Sequence, residues 1–158
     1  MQATVVAVIP LTEAWHEAGH ALAAHLLGAR VVLVTLESEL DGHGGHVEVD
    51  WTDVAEHVRG SAMVALAGPV AELVYRGEEL LDDPQVWAAW RADWDAAEAC
   101  LEELESEPAL REELRRALLA ELQAAFGDPH MSERLARIAD ALDAHETLDS
   151  GLFADALG

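Results

Sequence analysis

Residues 16–20 read His-Glu-Ala-Gly-His, inside a stretch patterned as a helix with one buried stripe. Thr12 can serve as its N-cap, Glu13 suits the first turn, and Gly28 can close its C-terminal end. Trp15, Leu22 and Leu26 fall in one narrow angular sector, and His16 and His20 lie just beside it. Histidines four apart project from the same side of a helix, so both imidazoles can reach one metal ion. Glu17 stands one position round, where its carboxylate can hold and deprotonate a water bound to that ion. Any fold for this chain must therefore half-bury one edge of this helix and bring it a further donor from elsewhere. His25 points away from both histidines and reads as a surface residue.

Composition narrows the class. With 158 residues the chain is long enough for a single domain, residues 1–158, with a sizeable core. Its formal net charge is −22, from 31 acidic and 9 basic residues, and every basic residue is arginine. So negative a surface repels phosphate backbones and anionic lipid, which argues against nucleic-acid binding, while basic peptides would be attracted. A lone cysteine, Cys100, excludes an internal disulfide and a cysteine-based zinc site. No segment approaches the length of an apolar membrane span, and the start lacks the positive region of a signal peptide, so a cytoplasmic location is expected.

The remaining pattern is mostly helical, with one small β-element. Val31 to Leu36 is a run of β-formers, followed by the glycine-rich turn Asp41–Gly45 and the alternating segment His46 to Val49, together a β-hairpin. A long helix is predicted from a cap at Thr52 to Arg76, stopped by Gly77 and kinked or broken at Gly68-Pro69. A third helix from about Pro84 carries Trp87, Trp90 and Trp94 as a packing stripe. A fourth runs from Pro108 to Phe126, Gly127-Asp128-Pro129 breaks the chain, and a last covers about Ser132 to Ala144. The expected fold class is mainly α (α+β).

A catalytic zinc usually takes three protein ligands and leaves a position open. No third histidine follows the motif at the spacing of the longer H-E-x-x-H-x-x-G-x-x-H pattern. The candidates lie further on: His43 and His46 on the hairpin, His57 and Glu72 on the second helix, Asp93 and Asp95 on the third.

His16 to Leu22 resembles the opening of the peptidase domain of the FtsH-type ATP-dependent zinc proteases. Val32 to Thr35 and the glycine-rich turn resemble that family's strand after the motif helix. Ala67-Gly68-Pro69-Val70-Ala71-Glu72-Leu73-Val74-Tyr75-Arg76-Gly77 is similar to its G-G-R-x-A-E-E-x-x-x-G helix, and Glu146-Thr147-Leu148-Asp149-Ser150 to its E-T-L-D-G signature. Together the segments span roughly residues 12 to 150. The family's third ligand is an aspartate opening an N-D-I-x-x-A-T segment, with which Asp95 to Cys100 aligns best. The resemblance thus implies Zn²⁺ held by His16, His20 and Asp95, with Asp93 as the fallback two residues away. Glu72 either orients a ligand histidine through its other ring nitrogen or pairs with Arg76. The sequence departs from the family in several places. It carries no Walker motif or ATPase module, Gly68-Pro69 stands where the family has its second glycine and arginine, and Trp94 stands in place of the asparagine.

These observations lead to the expectation of a zinc metalloendopeptidase acting on peptides or unfolded protein, with Glu17 as its general base. By the resemblance, the strand at Val31 to Leu36 would take substrate by β-augmentation. Two alternatives stand beside it: a non-catalytic interaction module keeping the peptidase fold, and a regulatory protease cutting one specific partner. A homo-oligomer stays open, because ring assembly in the family involves the ATPase part too.

Overall fold

The motif helix, α1, spans Leu11–Leu26 and is almost entirely covered. Thr12 lies inside it and is not its cap. Five of its alanines (Ala14, Ala18, Ala21, Ala23 and Ala24) are buried, and their small side chains let neighbouring backbones come close on several sides. Trp15 and Leu22 are buried as expected, whereas Leu26, the helix's last residue, is 45% exposed. Gly28, at φ 87°, turns the chain out of the helix, and the amide of Ala29 donates back to the Ala24 carbonyl at 3.0 Å. The coordinates, a computed structural model, describe residues 11–37, 45–79 and 85–158.

The expected hairpin is present as β1 (Arg30–Thr35) and β2 (His46–Asp50), antiparallel with an irregularity between Val31 and Leu33. Most of its predicted tip, Asp41–Gly44, lies outside the described residues, as does His43. A third strand, β3 (Thr147–Asp149), completes the sheet in the order β2-β1-β3. At three residues β3 is too short to show alternation in sequence. Tertiary pairing defines it: Val34 and Leu148 are register partners and both fully buried, and the hydroxyls of Thr35 and Thr147 meet at 2.7 Å.

The second helix, α2, covers His57–Arg76 and so starts later than Thr52. Asp50 accepts from the Thr52 amide at 2.9 Å and its hydroxyl at 2.5 Å, and Asp53 and Glu56 take positive φ, which delays the helix to His57. Its end at Gly77, φ 70°, is as predicted. The expected interruption at Gly68-Pro69 does not occur; the helix runs through Pro69. Packing offsets the missing amide donor there: Leu66, Ala67, Val70 and Ala71 are each at most 1% exposed.

The third helical segment is divided. A 3₁₀ turn spans Val86–Trp90, and the α-helix α3 (Arg91–Leu104) begins after Trp90 leaves helical geometry. Pro84, where that helix was predicted to start, lies outside the described residues. Then follow α4 (Pro108–Gly127), α5 (Pro129–His145) and a short α6 (Ser150–Leu157). Asp128 caps α5 through the His130 amide at 2.9 Å, and Asp149 caps α6, which sequence patterning did not reveal, through Leu152 at 2.8 Å. The described helices share one continuous apolar core, in which Leu22, Leu66, Leu101, Leu118, Phe126 and Ile138 are fully buried. None of them is long and apolar enough to cross a membrane.

Candidate metal centre

Two glycines bring α1 and α2 into register. A Cβ on Gly19, within the motif, would stand 2.5 Å from the Ala67 carbonyl oxygen and 2.5 Å from the Ala71 Cβ. A Cβ on Gly68 would stand 2.4 Å from His20 Nε2 and 2.9 Å from His16 Nε2. The two backbones therefore approach as closely as they can, and the space in front of both imidazoles is kept clear.

His16 and His20 do share a side, with their Nε2 atoms 3.1 Å apart. His20 Nδ1 lies 2.6 Å from the Val64 carbonyl, which makes Nδ1 the protonated nitrogen and leaves the Nε2 lone pair facing its neighbour. His16 Nδ1 lies 3.0 Å from Glu72 Oε2, which also receives the Trp90 indole N–H at 2.7 Å, while Arg76 donates to Oε1 at 2.8 Å. Both sequence readings of Glu72 thus hold at once: it orients a motif histidine and pairs with Arg76. Trp90, read from sequence as packing, is a donor in this network, while Trp87 is core at 1% exposure.

The carboxylate that α3 brings to the pair belongs to Asp93. Its Oδ2 is 2.9 Å from His16 Nε2 and its Oδ1 is 3.4 Å from His20 Nε2. Asp95 is a correction: it is turned to solvent, 63% exposed, against Arg91 at 3.4 Å. Residues two apart on an α-helix differ by about 200° in direction, so one element can present only one of these aspartates. The break between Trp90 and Arg91 sets which one. Motif alignment carries no information about that phase; of the two aspartates, Asp93, the fallback, is the one placed beside both histidines.

Glu17 is 5% exposed, and its Oε2 is buried with no hydrogen-bond partner among the described residues. Burial pushes its carboxyl above the usual range against the opposing pull of His20 and His16. Burial also disfavours a charged His16, but hydrogen bonds to Asp93 and Glu72 outweigh it and raise the imidazole to about 10. The histidines in turn hold Asp93 well below the ordinary carboxylate range despite its desolvation. Glu72 is likewise lowered, burial being outweighed by His16 and Trp90.

One donor atom each from His16, Glu17 and His20 lies within 4.8 Å of the others, a group that could hold a metal ion. Asp93 stands outside that group as defined, but its carboxylate oxygens lie 2.9 and 3.4 Å from the two imidazole Nε2 atoms. A tetrahedral ion with bonds of about 2.0–2.1 Å places its donor atoms roughly 3.3 Å apart. The separations of 3.1, 2.9 and 3.4 Å among His16, His20 and Asp93 match that to a few tenths of an ångström. A carboxylate without a partner in a buried position is what a metal-held water would satisfy. The donors thus fit a cation.

The site opens into a cavity of about 1100 Å³. One wall is β2 and the residues flanking it (Gly45, His46, Val47, Val49 and Trp51); α2 and the start of α3 complete it. Of the other histidine candidates, His46 stands on this wall outside the ligand cluster, and His57 is not among the lining residues. His25 is exposed and meets Phe153 edge-on at 6.0 Å. No family model matches the chain, and no curated protein matches it in sequence.

Proposed function

We propose that this chain is a zinc-dependent peptidase of the kind its motif segments resemble. The observation that carries the proposal is the meeting of His16, His20 and Asp93 beside the buried Glu17, whose Oε2 has no hydrogen-bond partner among the described residues, in the wall of a cavity. Two imidazole nitrogens and a carboxylate oxygen are a donor set that suits zinc, leaving a position for water. Zinc, when bound, supplies Lewis acidity, lowering the pKa of water and polarising a carbonyl. Glu17 accepts the proton of the attacking water and returns it to the leaving amine nitrogen. Its burial favours the protonated state that this return requires. Glu72 and the Val64 carbonyl keep both imidazoles in the tautomer and orientation that point Nε2 inward.

The strand that receives substrate is β2. The Val31–Leu36 strand, to which the family resemblance points, forms β1 and is paired on both sides, by β2 and by β3. Among the described residues β2 pairs with β1 alone, and His46, Val47 and Val49 of β2 line the cavity. An extended, flexible peptide can add there through main-chain hydrogen bonds, with its carbonyl over the histidines. The order of segments supports the likeness to the FtsH-type peptidase: a motif helix, a hairpin, a helix bearing Glu72 and a helix bearing the third carboxylate.

Hydrolysis of an unfolded casein-like substrate by zinc-loaded protein tests the proposal. The Glu17→Gln variant should keep one zinc per chain and lose cleavage by orders of magnitude. Cleavage by Glu17→Gln at the unaltered rate would overturn it, as would absence of any turnover in the zinc-loaded protein.

A further inference from the structure

Among the described residues, His46 is the one imidazole lining the cavity outside the His16–His20 pair. It opens the edge strand β2, in register with Thr35 on β1, and its side chain is 34% exposed. It therefore lies on the strand to which an added substrate strand would pair, and it lines the cavity. Glu48, two residues on and so on the same side of the strand, stands 3.6 Å from His46 Nε2. That separation is beyond a hydrogen bond and leaves the N–H uncommitted to it. The arginines that line the cavity are paired, Arg76 with Glu72 at 2.8 Å and Arg91 with Asp95 at 3.4 Å. His46 and Glu17 line the same cavity.

We propose that His46 is a further catalytic residue, donating a hydrogen bond to the substrate's carbonyl oxygen as that oxygen becomes anionic. The inference rests on the peptidase reading above. In the step concerned, a water oxygen bonds to the carbonyl carbon, the C=O π pair moves onto oxygen, and the water proton passes to Glu17. The pair then re-forms C=O, the C–N bond breaks, and Glu17 protonates the departing nitrogen. His46 exchanges no proton; its N–H is aimed at charge that exists only between those two events, so it lowers the barrier without tightening ground-state binding.

The test compares zinc-loaded wild type with His46→Ala in two measurements. The first is hydrolysis of a casein-derived fluorogenic peptide. The second is calorimetric binding of a phosphinic peptide, whose tetrahedral anion imitates the intermediate, alongside binding of the uncleaved parent peptide to Glu17→Gln and to Glu17→Gln/His46→Ala. His46→Ala should retain one zinc per chain, lose 10²–10³-fold in kcat with KM little changed, and lose phosphinic binding by a similar factor. Parent-peptide binding should move less than threefold. Unchanged kcat and phosphinic affinity would overturn the role of His46 while leaving the peptidase reading intact. Loss of zinc in His46→Ala would overturn it too, because the residue would then be a ligand. If zinc-loaded wild type cleaves nothing, the peptidase reading fails and the inference falls with it.

Discussion

Replacing Gly68 by alanine should separate metal binding from folding. The added Cβ would lie 2.4 Å from His20 Nε2 and 2.5 Å from its Cε1. Ordinary carbon contacts need about 3.5 Å, so the imidazole has to retreat by about 1 Å. It has little freedom to do so, because Nδ1 is tied at 2.6 Å to the Val64 carbonyl on the same helix as Gly68. Metal–ligand distances tolerate only about 0.2 Å, so a shift of that size effectively removes one ligand. Disturbing a residue that merely orients a ligand already costs about 10–100-fold in affinity, and this change should cost at least about 100-fold. The folded state suffers less. Overpacking costs roughly 1–3 kcal/mol, and alanine in place of a mid-helix glycine returns about 1 kcal/mol. A net loss of about 0–2 kcal/mol leaves a domain of ordinary stability folded. Zinc affinity by chelator competition, with melting curves of the metal-free protein, reads both quantities. Gly127→Ala is the control, since a Cβ there meets nothing within 4 Å. Zinc affinity in Gly68→Ala equal to that of the unaltered protein would refute the reasoning.

Three further outcomes follow from the same geometry. Asp93→Asn should lower zinc affinity by orders of magnitude and Asp95→Asn should leave it within a factor of about two, since the latter carboxylate is exposed; elemental analysis after dialysis distinguishes them. Glu72→Gln removes the acceptor shared by His16, Trp90 and Arg76, and a 10–100-fold weaker zinc affinity by calorimetry is expected. His16 in the metal-free fold is raised from 6.5 to about 10, so its contribution to stability is complete below about pH 6.5 and disappears as pH climbs through about 10. Metal must displace that proton. Zinc affinity should therefore rise about tenfold per pH unit between roughly 7 and 9, with close to one proton released from His16 at pH 7.5. Calorimetry in buffers of differing ionisation heat measures the release, and a value near zero would contradict the assigned charge state.

Much of the site was legible because helical periodicity is local. Spacing alone put His16 and His20 on one side of α1 with Glu17 beside them, and Gly28 and Gly77 marked helix ends that backbone conformation requires of glycine. Other elements escaped because their causes are not local. β3 is three residues long and is a strand only because β1 pairs with it. The helix crosses Pro69 because burial on both sides offsets a lost hydrogen bond. Asp50 and two residues of positive φ postpone α2, a turn that propensity does not announce.

By itself, the order of residues determined the chemistry available to this protein: two imidazoles and a carboxylate in one helical turn, in a mainly helical chain too acidic to favour phosphate. Tertiary structure alone decided which remote carboxylate joins them. Asp93 and Asp95 are chemically identical, and a 3₁₀ turn ending at Trp90 rotates one inward and the other to Arg91. It also decided that, among the described residues, β2 and not β1 keeps an unpaired edge, because hydrogen-bonding partners are counted across the sheet and not along the chain.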